Sequence, residues 1–327
     1  MADIVAVAGT SHSPVLAMEP QKMWSLRAEH DKANTELYDT DGVVRTYGEL
    51  AERAGDRWLD ELKPEVWDRK FEQSQADIAR LTEDLVSLDL DAVIVVGDDQ
   101  DELFSHRNLP SIAVYHGEEM TTHHAIEMGL GPEIVEVQRL LGMDGESYPA
   151  DARLARHIIE SLVDQGFDVS SSDSTAPDTG FGHAFAWVAG RLLKGHTVPT
   201  VPILLNTYFK PNQPTPARCY DLGVALRQAV ESAPGHARVG VVASGGLSHF
   251  VVDAELDRML LDAMSDHDST TLRALPAQRM DSGTSEIRNW ITAAGAGAHL
   301  STKWVDYQPA YRTPAGTGIG LAFGLWA

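Results

Sequence analysis

Five short runs along the chain are too uniformly apolar to alternate between a wet and a dry face: Ile4–Ala8, Ala92–Val96, Ser111–Tyr115, Val198–Leu205 and Val239–Ala243. They are rich in β-branched residues and bounded by Gly, Pro or Asp, the pattern of strands buried on both faces. Helical spacing fills the intervals, at Trp67–Leu85, Asp151–Gln165, Pro216–Ser232 and Asp253–Ala263. Strands alternating with helices predict an α/β fold, a central, mainly parallel sheet flanked by helices on both faces. No Pro/Gly/Ser linker divides the sequence, so residues 1–327 are read as a single domain. The segment 18–62 is rich in charge and helix formers and shows no strand, and is expected to be a helical insertion near the site.

In such a fold, ligands collect beyond the carboxyl ends of the strands. Two runs end there in the same way. Ile4-Val-Ala-Val-Ala-Gly-Thr-Ser leads into His12, and Val239-Gly-Val-Val-Ala-Ser-Gly-Gly-Leu-Ser leads into His249. Histidines delivered to strand mouths from opposite ends of the chain point to one site built from distant segments, an enzyme's site with a metal. A turn histidine that only hydrogen-bonds its neighbours serves the fold equally well, so neither residue decides the matter alone.

Three further strings carry side chains suited to chemistry. Gly97-Asp-Asp-Gln100-Asp-Glu102 follows the second strand, and its acids suit either a cation or the cap of a helix. Thr179-Gly-Phe-Gly-His183 sets two glycines around an aromatic, which lets backbone approach closely; His183 is read as a general acid or base, or as a packed histidine. Ser282-Gly-Thr-Ser-Glu286 precedes the apolar spacing Ile287, Trp290, Ile291 and marks a helix start, where a Glu is favourable for the helix dipole alone. The adjacent His123 and His124 follow two threonines and are read as rim residues, because neighbouring side chains point apart.

Bulk composition excludes several partners. A formal net charge of −22 repels nucleic acid and anionic lipid. An anionic small molecule then needs local Arg or His in its pocket. Nothing approaches the roughly 18 uninterrupted apolar residues of a membrane helix. The opening Met-Ala-Asp-Ile-Val has no basic region before an apolar run, so it is read as strand rather than as a secretory signal. With Cys219 the single cysteine, no internal disulfide forms and a thiolate metal site is disfavoured. A cytoplasmic enzyme is expected, and as a large α/β enzyme a homo-oligomer. No phosphate-binding loop, dinucleotide fingerprint, zincin helix or nucleophile elbow is present.

Together, Gly-Thr-Ser-His12, Val95-Val-Gly-Asp-Asp-Gln100, Gly182-His183-Ala-Phe, Asn206-Thr-Tyr-Phe, Ser244-Gly-Gly-Leu-Ser-His249 and Gly283-Thr-Ser-Glu286-Ile-Arg-Asn-Trp290 resemble the class III extradiol ring-cleavage dioxygenases. The type member of that family is the β subunit of protocatechuate 4,5-dioxygenase. The Asp-Asp-Gln loop is closest in look to the 3-O-methylgallate and gallate dioxygenase branch. The resemblance implies a non-haem Fe(II) held by two histidines and a carboxylate, acting with dioxygen on a catecholic or gallate-type aromatic acid. His12 then matches the first ligand and Glu286 the carboxylate ligand. His249 matches the catalytic proton carrier, and His183 a second active-site histidine that serves as general acid. Where the family's second histidine ligand usually stands, this chain has Gln100. The expected ligand set is therefore His12, Glu286 and Gln100, with Glu102, His123 or His124 as replacements for Gln100. The departure also motivates an alternative, a hydrolase or lyase of the same fold that uses His249 and His183 without activating oxygen. Tyr307, Tyr311 and Arg312 lie near the C-terminus, where Arg312 would either pair with a substrate carboxylate or serve the structure.

Overall fold

The computed structural model describes residues 2–125, 132–177, 179–235 and 237–327. It is an α/β domain. In chain order, β1 (Asp3–Thr10) is followed by the helices α1 (Pro20–Ala33), α2 (Tyr47–Ala54) and α3 (Pro64–Ser87). Then come β2 (Ala92–Asp98), β3 (Ile112–Tyr115), β4 (Glu119–Thr121), α4 (Pro132–Leu140), β5 (Ser147–Pro149), α5 (Ala152–Asp164) and β6 (Ser170–Ser172). A short α6 (His183–Ala186) runs into a π-helical segment, Trp187–Leu192. The second half contains β7 (Thr200–Leu205), α7 (Pro216–Ser232), β8 (Arg238–Ser244), α8 (Ala254–Ser265), α9 (Ser269–Ala274), α10 (Ile287–Ala296), β9 (Thr302–Tyr311) and β10 (Gly318–Trp326).

The main sheet has the order β6-β3-β7-β2-β8-β1-β10-β9. Its centre, β7-β2-β8-β1, is parallel. The flanks depart from the parallel expectation: β3 runs antiparallel to β7, and β10 pairs antiparallel with both β1 and β9. The C-terminal hairpin carries no helix between its strands, so no crossover forces it parallel. Apart from β1's register shift, alternate residues of the central strands enter opposite cores, which is why these runs are apolar throughout. Ile94 and Val96 pack with α7 and α10 on one face, while Val93 and Val95 pack with α3 and the π-helical segment on the other.

The segment 18–62 contains α1, α2 and a 3-10 turn, Leu59–Leu62. Thr46 and Glu49 cap α2 reciprocally, each side chain bonded to the other's backbone. Among the described residues no helix is long and apolar enough to cross a membrane.

The helix contact that positions the site is α7 against α10. Gly223 permits it: a Cβ there would lie 1.9 Å from the Thr292 carbonyl oxygen and 2.7 Å from the Ala296 nitrogen, both rigid helix backbone. Gly223→Ala should therefore overpack the contact and destabilise the fold by about 1–3 kcal/mol. A lowered Tm by calorimetry checks this; an unchanged Tm contradicts it.

Candidate metal centre

The carboxyl ends of β1, β2 and β8 and the start of α10 converge on one buried cluster. His12 leaves β1 after Thr10 and Ser11, and the backbone and hydroxyl of Ser11 are tied to β10 through Ala322. Pro14 then opens a 3-10 turn capped by the Ser13 side chain, so the chain turns away directly after His12. Glu286 ends a 3-10 stretch, Ser282–Glu286, and starts α10; it is 2 % exposed.

One hydroxyl proton decides the state of His12. The Ser244 hydroxyl donates to the Ala184 carbonyl at 2.6 Å, so towards His12 Nδ1, 3.0 Å away, it can only accept. Nδ1 therefore carries the hydrogen, and in the neutral ring Nε2 presents a lone pair. That Nε2 is buried, makes no hydrogen bond, and lies 3.4 Å from a Glu286 carboxylate oxygen. A buried lone pair facing a buried carboxylate requires a cation between them or a proton on the ring.

A second imidazole completes the arrangement. His183 opens α6, and its ring lies edge-on to His12 with centroids 4.6 Å apart. Its Nδ1 is bound to the Glu102 carboxylate, which also accepts the Gln100 backbone N–H at 2.6 Å. This leaves His183 Nε2 for the cluster. A carboxylate behind a histidine is a common outer partner in metal sites, fixing the ring and raising its basicity. Gly182 makes room for it: a Cβ there would lie 2.3 Å from the Glu102 carboxyl carbon. His12, His183 and Glu286 each offer a ligand atom within 4.8 Å of the others. Two imidazoles and a carboxylate on one side of an ion leave open positions on the other, and this donor set suits non-haem Fe(II).

The electrostatics follow from burial and close charge. Burial alone would push the Glu286 carboxyl up, but His12 and then His249 outweigh it and hold the group well below its usual range. Burial disfavours a charged His183, yet Glu102 outweighs it, with help from Asp98 and Glu286, and the ring is pushed up to about 10. Asp98 is raised by burial and by Glu286. Burial and then Glu102 push Asp99 up to about 7, against the Phe104 and Leu103 backbone N–H groups that it caps. Such a concentration of buried carboxylate beside imidazole nitrogens favours a cation.

His249 reaches the same carboxylate from the opposite side, its Nε2 3.5 Å from the second Glu286 oxygen. Its Nδ1 donates to the Leu247 carbonyl at 2.8 Å, which again directs Nε2 into the site. The residue is held firmly. Thr284 accepts from the His249 N–H and donates to its carbonyl, while Ser248 is bonded through backbone and side chain to buried Asp257. Burial pushes the Asp257 carboxyl up to about 7 against those bonds.

The structure places Gln100 at the edge of the cluster. Its amide nitrogen donates to Asp98 at 2.9 Å and to Glu286 at 3.2 Å, so the NH2 group, and not the oxygen through which an amide could bind a metal, is turned to the carboxylates. Glu102 is occupied by His183. His123 bonds to the His124 carbonyl, and His124 is exposed; neither joins the cluster. Arg312 is consumed by a two-pronged bond to Asp31, Tyr307 donates to Asp257, and Tyr311 stacks on Trp58. The sequence places His183 at the site as an acid. It does not reveal the pairing with Glu102, whose only signal is the close approach that the glycines around Phe181 allow.

Comparison with known proteins agrees with this geometry. The model of a family described as the catalytic LigB subunit of aromatic ring-opening dioxygenase matches residues 63–322. Gallate dioxygenase from Pseudomonas putida is 33% identical over 180 residues, 51% of this chain and 51% of that protein. A 2,3-dihydroxyphenylpropionate/2,3-dihydroxicinnamic acid 1,2-dioxygenase from a Rhodococcus species is 34% identical over 33% of this chain and 32% of that protein. One of the same description from Comamonas testosteroni is 32% identical over 29% of each. The alignable part thus spans about half the length of the first relative and about a third of the other two.

After anaerobic reconstitution with Fe(II) and desalting, His12→Ala and His183→Ala should each lose bound iron by metal analysis. Glu102→Gln should weaken metal affinity about 10- to 100-fold, as expected for the outer partner of a ligand. Full iron in His183→Ala together with loss of iron in Gln100→Ala would reverse the roles inferred for these two residues.

Proposed function

The chain belongs to the family of the catalytic LigB subunits of aromatic ring-opening dioxygenases, and on that premise we propose that it is an Fe(II)-dependent extradiol dioxygenase that opens the ring of a catecholic or gallate-type aromatic acid. The observation that carries the proposal is the buried, unpartnered Nε2 of His12 facing Glu286, with His183 alongside. His12, His183 and Glu286 would hold the iron. In this proposal His183 takes the ligand position that the sequence assigns to Gln100. Iron held by these residues would supply open coordination and the redox chemistry that joins dioxygen to an electron-rich aromatic ring.

The chain's own groups do the rest. His249 keeps its proton on Nδ1, against Leu247, and presents Nε2 where a catechol hydroxyl would lie. It therefore takes the hydroxyl proton and can return it later, a role that suits an imidazole near neutral pH. Gln100 donates its amide hydrogens to both Glu286 and Asp98 and so bridges the two carboxylates. Glu102 keeps the His183 ring in one orientation. Gly246 donates its N–H at 2.6 Å to the Glu286 oxygen that faces His12, which occupies one lone pair of that oxygen and leaves the other free. His12 and Glu286 are buried and His249, His183, Gln100 and Glu102 half-buried, which limits the access of bulk water.

Partners in this proposal are a small aromatic acid and dioxygen, with self-association as a homo-oligomer and a cytoplasmic location. Buried Cys219, its thiol pushed up to about 12 by burial, suits either redox setting and bears no role.

Anaerobically purified, Fe(II)-loaded protein should consume oxygen on addition of 3,4-dihydroxybenzoate or gallate and form a yellow ring-fission product. His249→Ala should keep its iron yet lose about 10²- to 10⁴-fold in kcat. Iron-loaded protein that takes up no oxygen with any of a broad panel of catechols would overturn the proposal. Activity that survives complete removal of metal by EDTA would favour the hydrolase or lyase alternative.

A further inference from the structure

We propose that Arg27 of α1 binds the carboxylate of the substrate, so that the site selects aromatic acids over neutral catechols. The inference rests on the dioxygenase reading above and names the residue that sets its substrate class.

Arg27 lies at the right place. Its guanidinium carbon sits 5.7 Å from the centroid of the Phe250 ring. Phe250 follows His249 in sequence, and the two rings meet edge-to-face with centroids 5.5 Å apart. The series Arg27, Phe250, His249, Glu286 therefore runs from a cation, across an aromatic face, to the proton carrier and the metal cluster. A benzenoid ring lying along Phe250 would turn its hydroxyls towards His249 and its carboxylate towards Arg27. Phe250 and Arg27 are both half-buried, Phe250 packing against the small apolar cluster of Leu37, Leu50, Val251 and Ala315.

Arg27 is also a cation without an anion. The carboxylate one turn along on the same helix, Asp31, is saturated: Arg312 binds both of its oxygens at 3.1 Å, and the Thr317 hydroxyl adds a third bond at 2.7 Å. No ion pair or hydrogen bond of the Arg27 guanidinium is found among the described residues. Two arginines thus share one carboxylate, which leaves a net positive charge beside the site of a protein whose overall charge is −22. Burial, then Arg312, lower the Arg27 guanidinium to about 10, with Asp31 opposing. One turn further along α1, His30 has a buried Nδ1 with no partner, and burial followed by Arg27 lowers that imidazole too. Of the other carboxylates near in sequence, Glu29 is paired with Lys32, and Glu36 is taken by the hydroxyls of Tyr208 and Ser282. An arriving carboxylate would pair with the guanidinium fork and relieve the excess charge. Local cation of this kind is what an anionic substrate needs against a repelling protein surface.

The test reads binding, without turnover. Isothermal titration of the anaerobic, Fe(II)-loaded protein would compare 4-hydroxybenzoate with its neutral amide, 4-hydroxybenzamide; neither has the vicinal hydroxyls that ring cleavage uses. The wild-type protein should bind the acid at least about 10-fold more tightly than the amide, and Arg27→Met should lose about 10- to 100-fold in affinity for the acid. Arg27→Gln, shorter and uncharged but able to hydrogen-bond, should also abolish the preference, and Arg27→Lys should keep part of it. Thermal melting shows which variants remain folded; if Arg27→Met does not fold, Arg27→Gln decides. A wild-type protein with no preference for the acid, or a folded Arg27 variant without the positive charge that retains the preference, overturns the inference. Oxygen uptake with catechols is measured separately. Absence of uptake beside an Arg27-dependent preference would sink the dioxygenase reading and leave the carboxylate site standing.

Discussion

The lone pair on His12 Nε2, fixed by a single serine proton, is the constraint from which the rest of the site follows. Ser244 spends its hydrogen on the Ala184 carbonyl and so forces His12 to donate through Nδ1. The far nitrogen is then left in a dry pocket opposite Glu286. Without an ion, the neutral ring would bring two electron-rich atoms together where no water can separate them, a cost of a few kcal/mol. Binding a cation removes that conflict, and metal affinity is in this sense stored in the fold.

The surrounding structure is arranged to keep the conflict in place. Ser244 is the last residue of β8, His12 follows β1, and these strands are parallel neighbours, so the serine and the histidine emerge side by side. The α10 helix, packed tightly on α7 through Gly223, delivers Glu286 from above, and the Gly246 N–H fixes one of its oxygens. Asn289, one turn into α10, bonds the Ser244 carbonyl and so ties this helix to the strand end. The antiparallel C-terminal hairpin takes part as well, because β10 covers the β1 edge and braces Ser11. Of the helices of 18–62, α1 brings Arg27 over the ring of Phe250, next in sequence to His249.

Much of this arrangement is legible in the amino-acid sequence, and the parts that are not have physical causes. His12 and His249 are legible because each follows a recognisable buried strand, and a strand's end is a place in the fold as well as a position in the chain. Glu286 is visible only as a helix start, since nothing local distinguishes a carboxylate that favours the dipole from one that faces two histidines. The apolar runs mark the central parallel strands at nearly their observed limits, whereas β9 and β10 escape the pattern. The apolar and glycine-rich run Gly318–Trp326 has no helix on either side to mark it as a strand of the alternating series. For His183 the sequence suggests proton transfer; its pairing with Glu102, 81 residues away, is a contact that no spacing rule supplies. Gln100 stands at a ligand's place in the sequence, but its amide turns its nitrogen inward because two carboxylates lie there. Arg27 carries no sequence signal, since an unpaired cation is recognised only once Asp31 is seen to be occupied.

The central claim is that His183, and not Gln100, joins His12 and Glu286 around the metal. A crystal structure of the Fe(II)-loaded protein, grown without oxygen and measured on both sides of the iron absorption edge, tests it most directly. The account predicts a single iron peak bound by His12 Nε2, His183 Nε2 and a Glu286 oxygen, with the Gln100 amide nitrogen still directed at Glu286. An iron peak bound through the Gln100 oxygen with His183 turned away, or one lying outside this cluster, would contradict it.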